Sequence, residues 1–213
     1  MIWHKDTAKI TAVKLLETGA VQLRPERPFT WASGMRSPVY CDNRVALSFP
    51  GVREFIAGRM ADIVRSEFPG TEVVAGVATG AIAWGVLVAG ILDLPFVYVR
   101  PSPKKHGRQN RVEGYLPPHS KTLVIEDLIS TGMSSMSAVL ALREAKTEIL
   151  GMTAVFSYGF ESAIRLFDDK GIRVYTLSDF ETLVRVGQEK GKFSEAERQT
   201  LLEWRRNPGG WEY

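Results

Sequence analysis

Cysteine is almost missing from this chain: Cys41 stands alone among 213 residues. No disulfide can close within it, and so low a count fits a reducing compartment. No apolar run reaches the roughly 20 residues a bilayer demands. The N-terminus, MIWHKDTAKI, lacks the apolar core of a secretory signal, so a cytoplasmic protein is expected. Dense Lys/Arg tracts interleaved with aromatics are also missing, which removes the usual footprint of general nucleic-acid binding. The formal net charge is only +3, compatible with a local basic site for an anion rather than a broad basic face. There is no Walker-A GK[ST], no Rossmann GxGxxG, no internal repeat and no Ser-His-Asp or Cys-His nucleophile signature.

What is present is an ordinary globular composition, 45% hydrophobic and 24% charged, in a length that suits one domain with a sizeable core. Residues 5–18 read as a short amphipathic helix with Ile10, Val13 and Leu16 on one face. Pro25, Pro28, Gly34 and Pro38 then punctuate a stretch in which FTW (29–31) and VYC (39–41) read as short strands around the turn SGMRS (33–37). Residues 1–48 are taken as a helix plus a small appendage within one compact domain, and 49–213 as its core. Val52, Ile56, Met60, Ile63 and Val64 recur at helical spacing. Strands are expected over 72–77, 95–100, 121–126, 149–158 and 172–177, with helices over 80–92 and about 134–145. Ser178 with Glu181, and Ser194 with Glu197, fit capping boxes that open two C-terminal helices. This alternation predicts an α/β fold: a doubly wound, mainly parallel, five-stranded sheet with helices on both faces. The segment 101–120 fits no element. It is long, basic and broken by proline and glycine, as functional loops are.

Ligands of such sheets bind beyond the carboxyl ends of the strands. VIEDLISTGMSS (124–135) lies at one of these ends. A helix start offers unpaired N–H groups to a phosphate, and the hydroxyls of Ser130, Thr131 and Ser134 add donors. Glu126 and Asp127 instead suit hydroxyl groups or a bound cation. A phosphate with a diol beyond it, as in a ribose 5-phosphate, satisfies both halves. An acidic turn after a strand accounts for the same residues without any ligand. GVATGAIA (76–83) is a second small-residue turn into a helix, explained as well by close packing as by phosphate binding. Arg100, Lys104, Lys105, His106 and Arg108 make a third candidate, either a solvated loop or a flap closing on pyrophosphate.

The E-D-x-x-S-T-G pattern resembles the phosphoribosyl pyrophosphate (PRPP) motif of type I phosphoribosyltransferases. FTWASGMRSPVYCDNR (29–44) resembles the N-terminal hood of the orotate phosphoribosyltransferase family, and VRPSPKKHG (99–107) its catalytic flap. In order and spacing these cover the chain from about Leu15 to Glu189. The resemblance implies transfer of a phosphoribosyl group from PRPP to orotate, giving orotidine 5′-monophosphate in pyrimidine biosynthesis. Glu126 and Asp127 would bind the ribose hydroxyls. Leu128, Ile129, Ser130, Thr131, Gly132, Met133 and Ser134 would wrap the 5′-phosphate, with Ser130 also touching orotate. Arg100, Lys104 and His106 would contact pyrophosphate, and Lys104, His106 and Asp127 would be the catalytic groups. Mg²⁺ would arrive with PRPP rather than on protein ligands, and a homodimer would share the 101–120 flap across subunits. The resemblance implies departures from many such relatives at Ala32 and Pro101, where lysines stand, from some near Gly80, where a lysine lies in the turn, and at Tyr158, which corresponds to an arginine that helps hold orotate. A purine or uracil salvage transferase would share the PRPP motif but not the hood. A PRPP-sensing regulator would be expected to carry a DNA-binding appendage or an extended basic face.

Overall fold

The computed structural model describes residues 2–31, 34–102 and 110–211. The chain begins with α1 (Lys5–Glu17), then four short strands, β1 (Val21–Leu23), β2 (Phe29–Thr30), β3 (Arg36–Ser37) and β4 (Val39–Cys41), and a 3₁₀ turn over Val45–Ser48. β1 pairs antiparallel with β4, and β2 with β3. These pairs form the small hood expected around residues 33–37.

The core follows as α2 (Pro50–Glu67), β5 (Val73–Val77), α3 (Ala81–Leu92), β6 (Phe96–Val99), β7 (Val112–Glu113), β8 (Lys121–Ile129), α4 (Met133–Glu144), β9 (Glu148–Ser157), α5 (Glu161–Asp169), β10 (Val174–Asp179), α6 (Phe180–Glu189) and α7 (Glu195–Arg206). The sheet order is β10-β9-β8-β5-β6-β7. The five expected strands are all parallel, and β7 joins antiparallel to β6 as a sixth. That two-residue strand lies inside the segment 101–120, where proline and glycine hide it from any periodicity. Every residue of β5 is buried, as a central strand covered on both faces requires. Helix α2 starts with Pro50 in its first turn, where a missing N–H costs nothing, and buries Ile56, Met60, Ile63 and Val64.

Three local expectations change. β8 does not stop at the acidic pair but runs through it to Ile129, because β9 pairs alongside it to Ser157. α5 fills a stretch with no assigned element and buries Ala163 and Phe167. Ser178 does not cap α6. It lies in β10 and donates its Oγ–H to the Ala8 carbonyl at 3.0 Å, while Asp179 is the cap and accepts from Thr182 N–H at 2.8 Å. The Ser194–Glu197 capping box forms as expected. Among the described residues no helix is long and apolar enough to cross a membrane.

Candidate active site

The strand order reverses between β5 and β8, since β6 follows on one side of β5 and β8 on the other. Such a switch point opens a crevice beyond the strand ends, and the end of β8 lies at it. Successive side chains of a strand point to opposite faces, so Glu126 and Asp127 diverge. Glu126 turns toward α4 and is only 4% exposed. Its Oε2 accepts from Ser135 Oγ at 2.7 Å and its Oε1 from the Asp127 N–H at 3.1 Å. Burial, and then the neighbouring Asp127 charge, push its carboxyl well above the usual carboxylate range. Burial also raises Asp127, opposed by its hydrogen bonds and by the Arg44 charge. The Asp127 carboxylate lies over Gly80 at the head of α3, where an added Cβ would overlap it.

Gly132 stands at the N-cap of α4 with φ +78°, a conformation glycine adopts without strain. A Cβ there would come within 3.1 Å of the Phe167 ring, so the turn is held tight against α5. No side chain caps α4, as none caps α1, α2, α3 or α5, but the start of α4 is the one that lies beside the acidic pair of β8. The first turn of α4 therefore offers N–H groups to a ligand, with Thr131, Met133 and Ser134 exposed and Ser130 half-buried beside it. Leu128 is half-buried and Ile129 buried.

A cavity of about 260 Å³ joins this turn to the end of β6, with Ala78, Arg100, Arg111, Met133, Ser134 and Ser137 in its lining. The peptide Ala78–Thr79 in its floor is cis. Arg100 follows β6 directly and its Nη1 donates to Glu113 Oε1 at 3.4 Å. Its N–H donates to the Arg111 carbonyl at 2.8 Å, and Arg111 Nε donates back to the Arg100 carbonyl at 3.0 Å. Sequence reasoning passed over Arg111, although the basic texture of 101–120 contained it. Lys104 and His106 lie outside the described residues. A larger cavity, about 590 Å³, lies between α5 and β10 among mostly apolar side chains, and of the expected site residues only Ile129 lines it.

The hood closes the other side. Asn43, fully buried, donates Nδ2–H to the Asp127 carbonyl at 2.6 Å, and the Cys41 thiol donates to Asn43 Oδ1 at 3.4 Å. Burial, then the Asp127 and Asp42 charges, push that thiol up, so it is held as an unreactive neutral group. Tyr158 follows β9 and donates its N–H to the Ile129 carbonyl at 2.9 Å. Its ring is 1% exposed and packs against Trp31 at 5.3 Å, Phe160 at 5.4 Å and Trp204 at 5.6 Å between centroids. An arginine in its place would bury a charge among aromatic rings, and a lysine at Gly80 would displace Asp127. Pro101 sits in an exposed bend, and Ala32 lies outside the described residues. Among the described residues no group of three or more His, Cys, Asp or Glu side chains is placed to hold a metal.

No protein-family model matches the chain. It is 48% identical over 203 residues to an orotate phosphoribosyltransferase of Cytophaga hutchinsonii, covering 95% of this chain and 97% of the relative. It is 48% identical over 207 residues to one of Porphyromonas gingivalis, covering 97% and 99%. Among solved structures, the orotate phosphoribosyltransferase of Aeropyrum pernix superposes with a TM-score of 0.74 at 28% identity, over 86% of this chain and 99% of that one. With the paired carboxylates, the uncapped helix and the hood all in place around one crevice, and with relatives this similar along nearly their whole length, the chain belongs to the orotate phosphoribosyltransferase family.

Proposed function

We propose that the chain transfers the 5-phosphoribosyl group of PRPP to orotate, forming orotidine 5′-monophosphate and pyrophosphate in the cytoplasm. One observation carries the reading of the site: paired carboxylates on β8 adjoin the uncapped start of α4, and Arg100 stands across the cavity from that start. The N–H groups and hydroxyls of residues 130–134 hold the 5′-phosphate. Glu126 and Asp127 accept from the ribose hydroxyls and fix the sugar. Orotate nitrogen, losing its proton, forms the bond to C1′. The C1′–O bond breaks and its electron pair leaves on pyrophosphate. Arg100, with Lys104 and His106 of the flap, faces the negative charge that develops there. Fixing sugar, base and leaving group together supplies much of the rate.

The donors at this crevice are oxygens, which suit Mg²⁺. Of the pair, Asp127 is the one whose carboxylate lies over Gly80 at the crevice and would face such an ion, whereas Glu126 is buried with both oxygens accepting hydrogen bonds. When bound with PRPP, Mg²⁺ offsets charge on the pyrophosphate. A homodimer with shared flaps belongs to the same proposal. Its support is α3, which carries no charged residue and exposes Val86 by 50% and Ile91 by 42%. The test follows orotate loss spectrophotometrically with PRPP and Mg²⁺, with uracil, adenine, guanine, hypoxanthine and xanthine in parallel. Orotate consumption that needs both additions is expected. Turnover of another base instead would reassign the chain to salvage, and PRPP binding without any turnover would make it a sensor.

A further inference from the structure

The hood and the ribose carboxylate meet through one buried side chain that the proposed reaction does not use. β5 runs beside β8 only as far as Ile125, so Asp127 has no neighbouring strand on that side. A buried carbonyl left without a donor costs about 1–3 kcal/mol. Asn43 supplies the donor at 2.6 Å, from a position 84 residues away in the sequence. Its turn is braced at both ends. Arg44 grips Asp42 in a two-pronged ion pair at 2.7 and 2.8 Å, and the Cys41 thiol donates to the Asn43 amide oxygen. Cys41 ends β4, and at the head of that strand the Val39 carbonyl accepts from Trp31 Nε1 at 3.1 Å while the Trp31 ring packs on Tyr158 at 5.3 Å between centroids. The same turn therefore carries the hood wall that faces Tyr158 and grips the strand that carries the ribose carboxylate.

We propose that Asn43 is a positioning residue for phosphoribosyl transfer, a strut of fixed length that sets the hood wall against Asp127 and so aligns base with sugar. The inference rests on the proposed orotate transfer. Its two variants separate a strut from a simple structural hydrogen bond. Asn43→Ala removes the donor. Asn43→Gln keeps the donor but lengthens the arm by about 1.5 Å, and a misplacement of about 1 Å can cost 100-fold in rate. Steady-state kinetics in both substrates, with thermal unfolding on the same preparations, are the measurements. In Asn43→Gln the chain is expected to remain folded, with kcat down about 10- to 100-fold and both KM values within about 3-fold of wild type. Asn43→Ala, where it folds, is expected to lose kcat in the same range. Wild-type kcat in folded Asn43→Gln overturns the strut, whether or not Asn43→Ala folds. So does a rise in either KM at unchanged kcat. Wild type run alongside keeps the two readings apart. Failure of wild type to turn over orotate sinks the reaction and the strut with it, whereas active wild type with unaffected variants sinks the strut alone.

Discussion

At the scale of single residues, the acidic pair is costly to the empty protein. Glu126 is buried beside Asp127, and its carboxyl is raised. A carboxyl raised in the folded state contributes stability below its unfolded value, about 4.3, and loses that contribution as pH rises through the folded value. Glu126→Gln removes the ionisation. At pH 8 it should melt higher than wild type, by about 2–4 °C for each kcal/mol relieved, and the difference should vanish near pH 4. Calorimetry at the two pH values checks this. The same variant should lose about 10- to 100-fold in kcat/KM for PRPP, the worth of one hydrogen bond to a charged acceptor. A variant that is more stable and less active would place the strain of the pair on the ligand side. Lys104→Ala belongs here too. It should lower kcat sharply at unchanged melting temperature, and wild-type turnover would remove Lys104 from the mechanism.

At the scale of elements, the turn from β5 into α3 is shaped by a side chain from another strand. Gly80→Ala places a methyl where the Asp127 carboxylate lies, so the carboxylate must swing away. About a 10-fold or greater loss of kcat is expected from such a displacement, with little change in melting temperature because the carboxylate is only half-buried. Helix α7 offers the opposite case. Its capping box is complete and remote from the crevice, so Ser194→Ala should cost about 1 kcal/mol. The melting temperature should fall by about 2–4 °C while kcat stays at the wild-type value. The far end of α7 has a larger role. Trp204 donates to the Arg36 carbonyl at 3.1 Å, and Arg205 donates to the carbonyls of Tyr158 and Gly159 at 3.2 and 3.1 Å. The C-terminal helix thus ties the hood to the end of β9.

At the scale of the whole molecule, the homodimer proposal makes two separate claims. If the outward face of α3 is the subunit contact, Val86→Asp should yield a monomer by light scattering and lose activity with it. If flaps cross between subunits, mixing Lys104→Ala chains with Asp127→Ala chains should restore part of the activity, because one site per mixed dimer then has an intact flap and an intact carboxylate. Verified mixed dimers without recovery would mean that each chain closes its own site.

The parallel α/β sheet, the hood and the acidic-pair motif could be read from the chain because each is written in neighbours. Strands declare themselves as unbroken apolar runs when both faces are covered. Ser130, Thr131 and Gly132 mark a turn because backbone conformation is chosen within a few residues. The Ser194 box held for the same reason. Ser178 misled because its local pattern fits a cap equally well, while a packing partner 170 positions away claims its hydroxyl. β7 was hidden because a two-residue strand carries too little period to declare itself, whereas α5 was legible, with Phe160, Ala163, Ile164 and Phe167 at helical spacing, and was passed over. Arg111, Ser135 and Asn43 lie within the stretches 101–120, 124–135 and 29–44 that the sequence singles out, but their partners lie elsewhere in the chain, so their roles were passed over. Arg111 is brought to the cavity by pairing with Arg100, Ser135 to Glu126 by the docking of α4, and Asn43 to Asp127 by the docking of the hood. The sequence by itself determined which elements form and which chemistry they bring. Only the tertiary structure decided how that chemistry is held, because the holding contacts join residues that share no stretch of chain.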